Sequence, residues 1–170
     1  NCAGLPDEDA ESEMFGRKVG EDETIGFFEY ADGGTVLLDG IAEFSLSLQA
    51  KLLRFLTDGS FRRVGEEKEH HANVRVICTA QMPLNQLVEQ GKVRADLFHR
   101  LNVLTLNVPP LRERIADIEP LTEGFLQEIS ESLNIQKPTF DRQFLVYLQQ
   151  YNWQGNVREL YNTLYRACSL

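Results

Sequence analysis

The sequence predicts an α/β fold, a parallel sheet with flanking helices, followed by a small helical unit. Three observations carry this expectation. Thr35-Val36-Leu37-Leu38 before Asp39, and Val74 to Cys78, are short apolar runs that read as strands buried on both faces, as in a parallel sheet. Between them Leu48, Leu52, Leu53 and Leu56 recur at the spacing of an amphipathic helix. Beyond Pro109-Pro110 the strand-like runs stop and only helical periodicity remains.

Taken in order, residues 1–34 are polar, acidic and glycine-bearing, with apolar landmarks at Met14-Phe15-Gly16 and Gly26-Phe27-Phe28. Gly33-Gly34 marks the start of the first strand. Residues 47–57 form the helix, with Ser47 as its cap and Gly59 as its left-handed exit. Phe61 to Val64 reads as a strand, and Gly65 to His71 as a solvated turn. Pro83 opens a short helix ending at Gly91, residues 94–100 form another, and Leu101 to Val108 is a third core strand. Helices follow over 117–132, 141–150 and 156–168, with Asp141 as an N-cap and Asn156 with Glu159 as a loose capping box. The predicted division is 1–110 and 111–170.

With 170 residues, 42% apolar and 25% charged, the chain is long enough to bury a proper core. No run approaches the roughly 18 apolar residues of a membrane span. Three cysteines without metal-ligand spacing, and no basic leader or apolar signal core, predict a reduced, cytoplasmic protein. The missing initiator Met suggests a piece of something longer. Net charge is −9, and residues 1–32 hold ten acids against two bases, so a DNA-binding surface on this chain is not expected.

Asp39 ends a predicted strand, where α/β proteins place ligand chemistry. It suits either a water-mediated Mg²⁺ contact beside a phosphate or the capping of the next turn. Arg94 and Arg100 flank a short helix and cannot share a face. One is a candidate for a neighbouring subunit, the other for bracing the local fold. Arg158 falls in the first turn of a helix, where its charge opposes the dipole unless an anion or acid offsets it. No G-x-x-x-x-G-K-[ST] phosphate loop occurs.

The blocks Glu13-Met14-Phe15-Gly16, Gly26-Phe27-Phe28-Glu29-Tyr30-Ala31, Gly34 to Asp39, Gln49 to Leu56, Phe61 to Gly65, Asn73 to Ile77, Arg94 to Val103, Pro109 to Arg114 and Trp153 to Leu160 stand in one order across nearly the whole chain. Together they resemble the central AAA+ domain of bacterial enhancer-binding proteins. The resemblance implies a partial AAA+ P-loop fold with a helical lid, its phosphate loop expected upstream of Asn1. It implies ATP and Mg²⁺ as cofactors of the longer protein, weakly held or absent in this piece, with no hydrolysis expected here. By position, Asp39 matches the Walker B aspartate that supports the metal and Gln81 the sensor I residue. Arg94 and Arg100 match the paired interface arginines, Arg158 the sensor II arginine, and Asn1 the asparagine that exchanges contact with the Walker B glutamate.

Two departures are intrinsic to the sequence. Arg17 to Ile25 contains no G-A-F-T-G-A motif, the segment with which most of the family meets the alternative sigma factor. That shortened loop, with Ala50 to Val64 and Arg100 to Leu106, is similar to the TyrR branch of aromatic amino acid-responsive regulators. The Walker B pair reads Asp39-Gly40, and glycine offers no base. Hydrolysis is therefore expected to be weak or absent in the longer protein too, and Gly40→Glu is expected to raise it. The implied partners are further copies of the chain in a dimer or hexamer, an aromatic amino acid, RNA polymerase, and operator DNA through a helix-turn-helix outside this sequence. Two alternatives stay open: an ATP-hydrolysing sigma-54 activator, and an AAA+ module that only assembles.

Overall fold

The computed structural model describes residues 1–4 and 6–169. Contacts divide it into Asn1–Thr105 and Leu106–Leu170, each with its own apolar core. In chain order the first unit holds α1 (Asp7–Phe15), β1 (Gly16–Val19), β2 (Asp22–Ile25), α2 (Phe27–Tyr30), β3 (Thr35–Leu38) and α3 (Leu46–Asp58). It continues through β4 (Ser60–Arg62), β5 (Glu69–His71), β6 (Arg75–Cys78), α4 (Leu84–Glu89) and α5 (Ala95–Leu101).

β3 and β6 pair in parallel, Thr35 with Arg75 through Leu38 with Cys78. Burial on both faces is not found. Val36 and Leu38 turn into the core with Phe15, Phe28 and Leu52, while Leu37 and Ile77 remain 58% and 44% exposed. Among the described residues the sheet has two strands, and only the face that carries Val36 and Leu38 meets the core. The third core strand is also corrected. Leu101 ends α5, and Val103, Leu104, Leu106 and Val108 are exposed in an irregular segment. An apolar run becomes a strand only where another strand's edge takes its backbone hydrogen bonds, and this one pairs with none among the described residues.

The α3 expectation holds within a residue, but its cap moves. Ser45 Oγ, not Ser47, accepts from the Leu48 amide at 3.2 Å. Gly59 makes the left-handed exit, with φ 75°. Gly65 to His71 is more than a turn, because Glu69–His71 pairs antiparallel with β4. Residues 7–31 carry two helices and a hairpin that apolar periodicity did not reveal. The signal for α1 lay in Asp7, Glu8 and Asp9, whose charges favour a helix N-terminus, followed by buried Ala10 and Met14 one turn apart.

In the second unit, 3-10 turns at Leu111–Glu113 and Ile115–Asp117 lead into α6 (Ile118–Leu133), α7 (Arg142–Gln150) and α8 (Asn156–Cys168). Leu111, Ile118, Ile129, Leu160 and Leu164 fill its core with Trp153, whose indole N–H donates to the Leu148 carbonyl at 2.6 Å. Asp141 caps α7 by accepting from the Phe144 amide at 2.8 Å. The second predicted cap does not form as read: the N-cap is Gly155, whose amide donates to Glu159, while the Asn156 amide donates to the Trp153 carbonyl and its side chain accepts from Leu111 N–H. No helix among the described residues is long and apolar enough to cross a membrane.

Candidate functional site at the strand ends

Because β3 and β6 run parallel with Leu38 opposite Cys78, Asp39 and Thr79 leave the sheet side by side. The ladder continues past the strands: Thr79 N–H donates to the Leu38 carbonyl at 2.9 Å, and Ile41 N–H to the Thr79 carbonyl at 3.1 Å. The Thr79 hydroxyl donates to Asp39 Oδ1 at 2.6 Å and accepts from the Gly40 amide at 3.0 Å. Gly40 is left-handed, φ 87° and ψ 56°. Cys2 N–H donates to the Asp39 carbonyl at 2.9 Å, which brings Asn1 to the same corner. Asn1 Oδ1 accepts from the Ala3 amide. An open cleft of about 570 Å³ lies alongside, lined by Asn1, Phe27, Tyr30, Val36 and Phe44 among others.

Asp39 is exposed, and its Oδ2 enters no hydrogen bond among the described residues. Among those residues no cluster of three or more His, Cys, Asp or Glu side chains is placed to hold a metal. A single open carboxylate oxygen of this kind would suit a hydrated Mg²⁺ brought in by a ligand better than an ion held by protein groups alone. The nearby thiols are poor nucleophiles: burial raises Cys2 and pushes Cys78 up to about 12.

Gln81 is exposed two positions beyond Thr79, and it is Thr79 that meets the Asp39 carboxylate. Arg94 and Arg100 are used differently. Arg94 caps α5, its guanidinium paired with Asp96 at 2.8 Å and its amide held by Gln49 Oε1 at 3.0 Å. Arg100 donates to the Leu56 carbonyl at 2.8 and 2.6 Å, covering one of the unpaired carbonyls at the end of α3. Arg158 lies exposed in the first turn of α8, in the other unit.

Sequence reasoning missed two side chains here. Gln49 is fully buried and also donates to the Phe44 and Lys92 carbonyls, fixing where α5 begins. Arg63, 5% exposed, donates to both Glu29 oxygens and pairs with Glu23. Its hydrogen bonds with Glu29 raise its already high pKa, and its hydrogen bond to Glu23 holds that carboxyl below the ordinary range. Glu66 is likewise lowered, first by His70, whose Nε2 lies 2.8 Å away, and then by Lys18. Together these ties fasten the β1–β2 hairpin, which occupies the stretch where the resemblance placed a sigma-contacting loop. Both residues fall within the blocks that carry the family resemblance, Gln49 beside Leu48 and Arg63 beside Arg62, but nothing local marks either as buried.

Residues 1–107 match the model of the Sigma-54 interaction domain, and residues 112–170 that of the AAA+ ATPase lid domain. The HTH-type transcriptional regulatory protein TyrR of Haemophilus influenzae is 85% identical over 170 residues, covering 100% of this chain and 54% of that protein. TyrR of Enterobacter agglomerans is 57% identical, over 98% of this chain and 33% of its own length. Among solved structures, NtrX from Brucella abortus in complex with ADP superposes with a TM-score of 0.90 at 36% identity, covering 98% of this chain and 38% of that one. The chain thus spans about half the length of the first relative and about a third of the second.

Proposed function

Because this chain belongs to the Sigma-54 interaction domain family and continues into an AAA+ lid, we propose that it is the central, nucleotide-responsive assembly domain of a TyrR-like transcriptional regulator. In that reading the whole protein binds ATP and Mg²⁺, hydrolyses ATP weakly or not at all, and self-associates in response to an aromatic amino acid. It binds operators of aromatic amino acid genes through a helix-turn-helix and acts on RNA polymerase with the housekeeping sigma factor, in the cytoplasm. The observation that carries it is the strand-end corner, where Asp39 offers a carboxylate oxygen that no described residue occupies while Gly40 brings no acid.

The residues divide the work. Asp39 would orient water around Mg²⁺, which supplies charge neutralisation to the phosphates. Asn1 would sense the corner's state. Gln81 and Arg158 would contact nucleotide, and Arg94, with Arg100 behind it, would reach a neighbouring copy's nucleotide. Without a base at position 40, bound ATP serves as a ligand whose energy of binding biases assembly.

A second reading, an ATP-hydrolysing sigma-54 activator, is favoured by the family model's own match. Gly40 and the tied-down hairpin weigh against it. Sedimentation of the full-length protein with and without ATP and tyrosine, with phosphate release followed in the same samples, separates the two. Growth of the particle without turnover is expected. Rapid turnover that opens sigma-54 promoters would defeat the proposal, and unchanged sedimentation would favour an inert assembly module.

A further inference from the structure

The Thr79 hydroxyl has one proton to give, and it goes to Asp39 Oδ1 at 2.6 Å. Thr79 Oγ1 itself accepts the Gly40 N–H at 3.0 Å. One side chain from the neighbouring strand end therefore holds the carboxylate and the next residue's backbone at once. Gly40 sits at φ 87° and ψ 56°, where a side chain is disfavoured. Space is not the obstacle: a Cβ built there meets nothing closer than Glu43 Cγ at 3.5 Å. The obstacle is the backbone conformation, whose amide Thr79 grips while Glu43 N–H donates to the Gly40 carbonyl at 3.0 Å.

We propose that Thr79 is a positioning residue of the strand-end site: its hydroxyl clips the Asp39 carboxylate to the Gly40 amide and locks the corner into a left-handed turn unsuited to a catalytic glutamate. The inference rests on the nucleotide-binding reading above and deepens it. Loss of a base at this corner is then written twice, once in the glycine side chain and once in the hydroxyl that fixes its backbone. A glutamate at 40 would take the proton of a water whose oxygen bonds to the γ-phosphorus as the bond to the ADP oxygen breaks. On a clipped backbone that carboxylate is misdirected. Replacing Thr79 by valine keeps the shape and removes the clip, so the turn can relax to accept the glutamate.

The test uses the full-length protein, labelled with ¹⁵N-glycine, in wild-type form and as Thr79→Val, Thr79→Ser, Gly40→Glu and Gly40→Glu/Thr79→Val. Amide exchange at Gly40 should quicken about five- to tenfold in Thr79→Val, the size of one net hydrogen bond. Thr79→Ser, which restores the hydroxyl, should return it to the wild-type rate. Unchanged exchange in Thr79→Val overturns the clip. The sequence alone expects Gly40→Glu to raise hydrolysis; with the backbone at position 40 left-handed, phosphate release should instead rise little in that variant and at least about tenfold more in the double variant, a barrier change of about 1.4 kcal/mol. Equal release in the single and double variants overturns the lock on catalysis. Should no variant bind ATP, the nucleotide-binding reading fails, while the exchange rates still decide whether the clip exists.

Discussion

Two corners of the first unit are built on opposite plans. At the base of the β1–β2 hairpin a buried guanidinium gathers three carboxylates: Glu23 on β2, Glu29 on α2, and Glu66 in the loop after β4. Backbone reinforces it, since Lys18 N–H donates to the Val64 carbonyl and Val64 N–H to the Gly16 carbonyl. At the ends of β3 and β6 a single neutral hydroxyl joins two residues, and the carboxylate it holds stays open to water. The first corner fixes a surface feature in place. The second leaves a charge free to meet a ligand. The contrast teaches that this domain spends its strong electrostatics on holding the hairpin and leaves the candidate site lightly held.

Removing the centre of the heavy corner should have the largest effect. Arg63→Met should lower unfolding stability by about 3 kcal/mol, because its charged hydrogen bonds to Glu29 and Glu23 are lost together while those carboxylates stay partly open to water. Urea denaturation checks this, and a loss near 1 kcal/mol would reduce the cluster to an ordinary surface network. Next comes the backbone pinch beneath the hairpin. A Cβ at Gly26 would lie 2.4 Å from Gly16 N and from the Met14 carbonyl. Gly26→Ala should therefore cost about 2–3 kcal/mol. The matching change at the light corner, Gly40→Ala, meets open space and only an unfavourable φ, and should cost about 1 kcal/mol. Equal losses at the two glycines would erase the contrast.

Acid offers a gentler way to separate the corners. Glu23 and Glu66 are held below their ordinary value of 4.5 in the folded protein, the first by Arg63 and the second by His70. A carboxyl depressed on folding contributes stability that is fully present above that ordinary value and is lost as pH falls through the lower, folded value. Hairpin amides should therefore lose exchange protection below about pH 4.5. The Gly40–Thr79 hydrogen bond joins two neutral groups and should outlast them. Simultaneous loss at both corners would show that the hairpin is not separately anchored by charge.

How legible each corner was follows from the kind of interaction that built it. α3 could be read because Leu48 and Leu52 repeat on one buried face and Gly59 supplies the left-handed exit. The helices of the second unit could be read for the same reason. Asp39 was legible as a strand-end acid, but its partner was not. Thr79 becomes its neighbour only through the parallel register of β3 and β6, which chain order does not display. Arg63 was hidden in a run of ordinary charges, since the residues it meets are far away in sequence, Glu29 at a separation of 34 and Glu23 at 40. The apolar run from Val103 to Val108 misled for the converse reason: its composition says strand, and among the described residues no paired edge receives it. Local periodicity reports faces; it does not report which chain segment arrives beside them.

The proposed function requires the strand-end corner to hold nucleotide without cutting it, and the fate of bound ATP tests this most directly. Full-length protein is mixed with radiolabelled ATP and Mg²⁺, freed of unbound nucleotide, held at assembly temperature, and its bound nucleotide recovered after denaturation. The account predicts that the nucleotide comes back as ATP, and that Asp39→Asn weakens its retention only when Mg²⁺ is present. Recovery as ADP with matching phosphate release from the wild-type protein would contradict it.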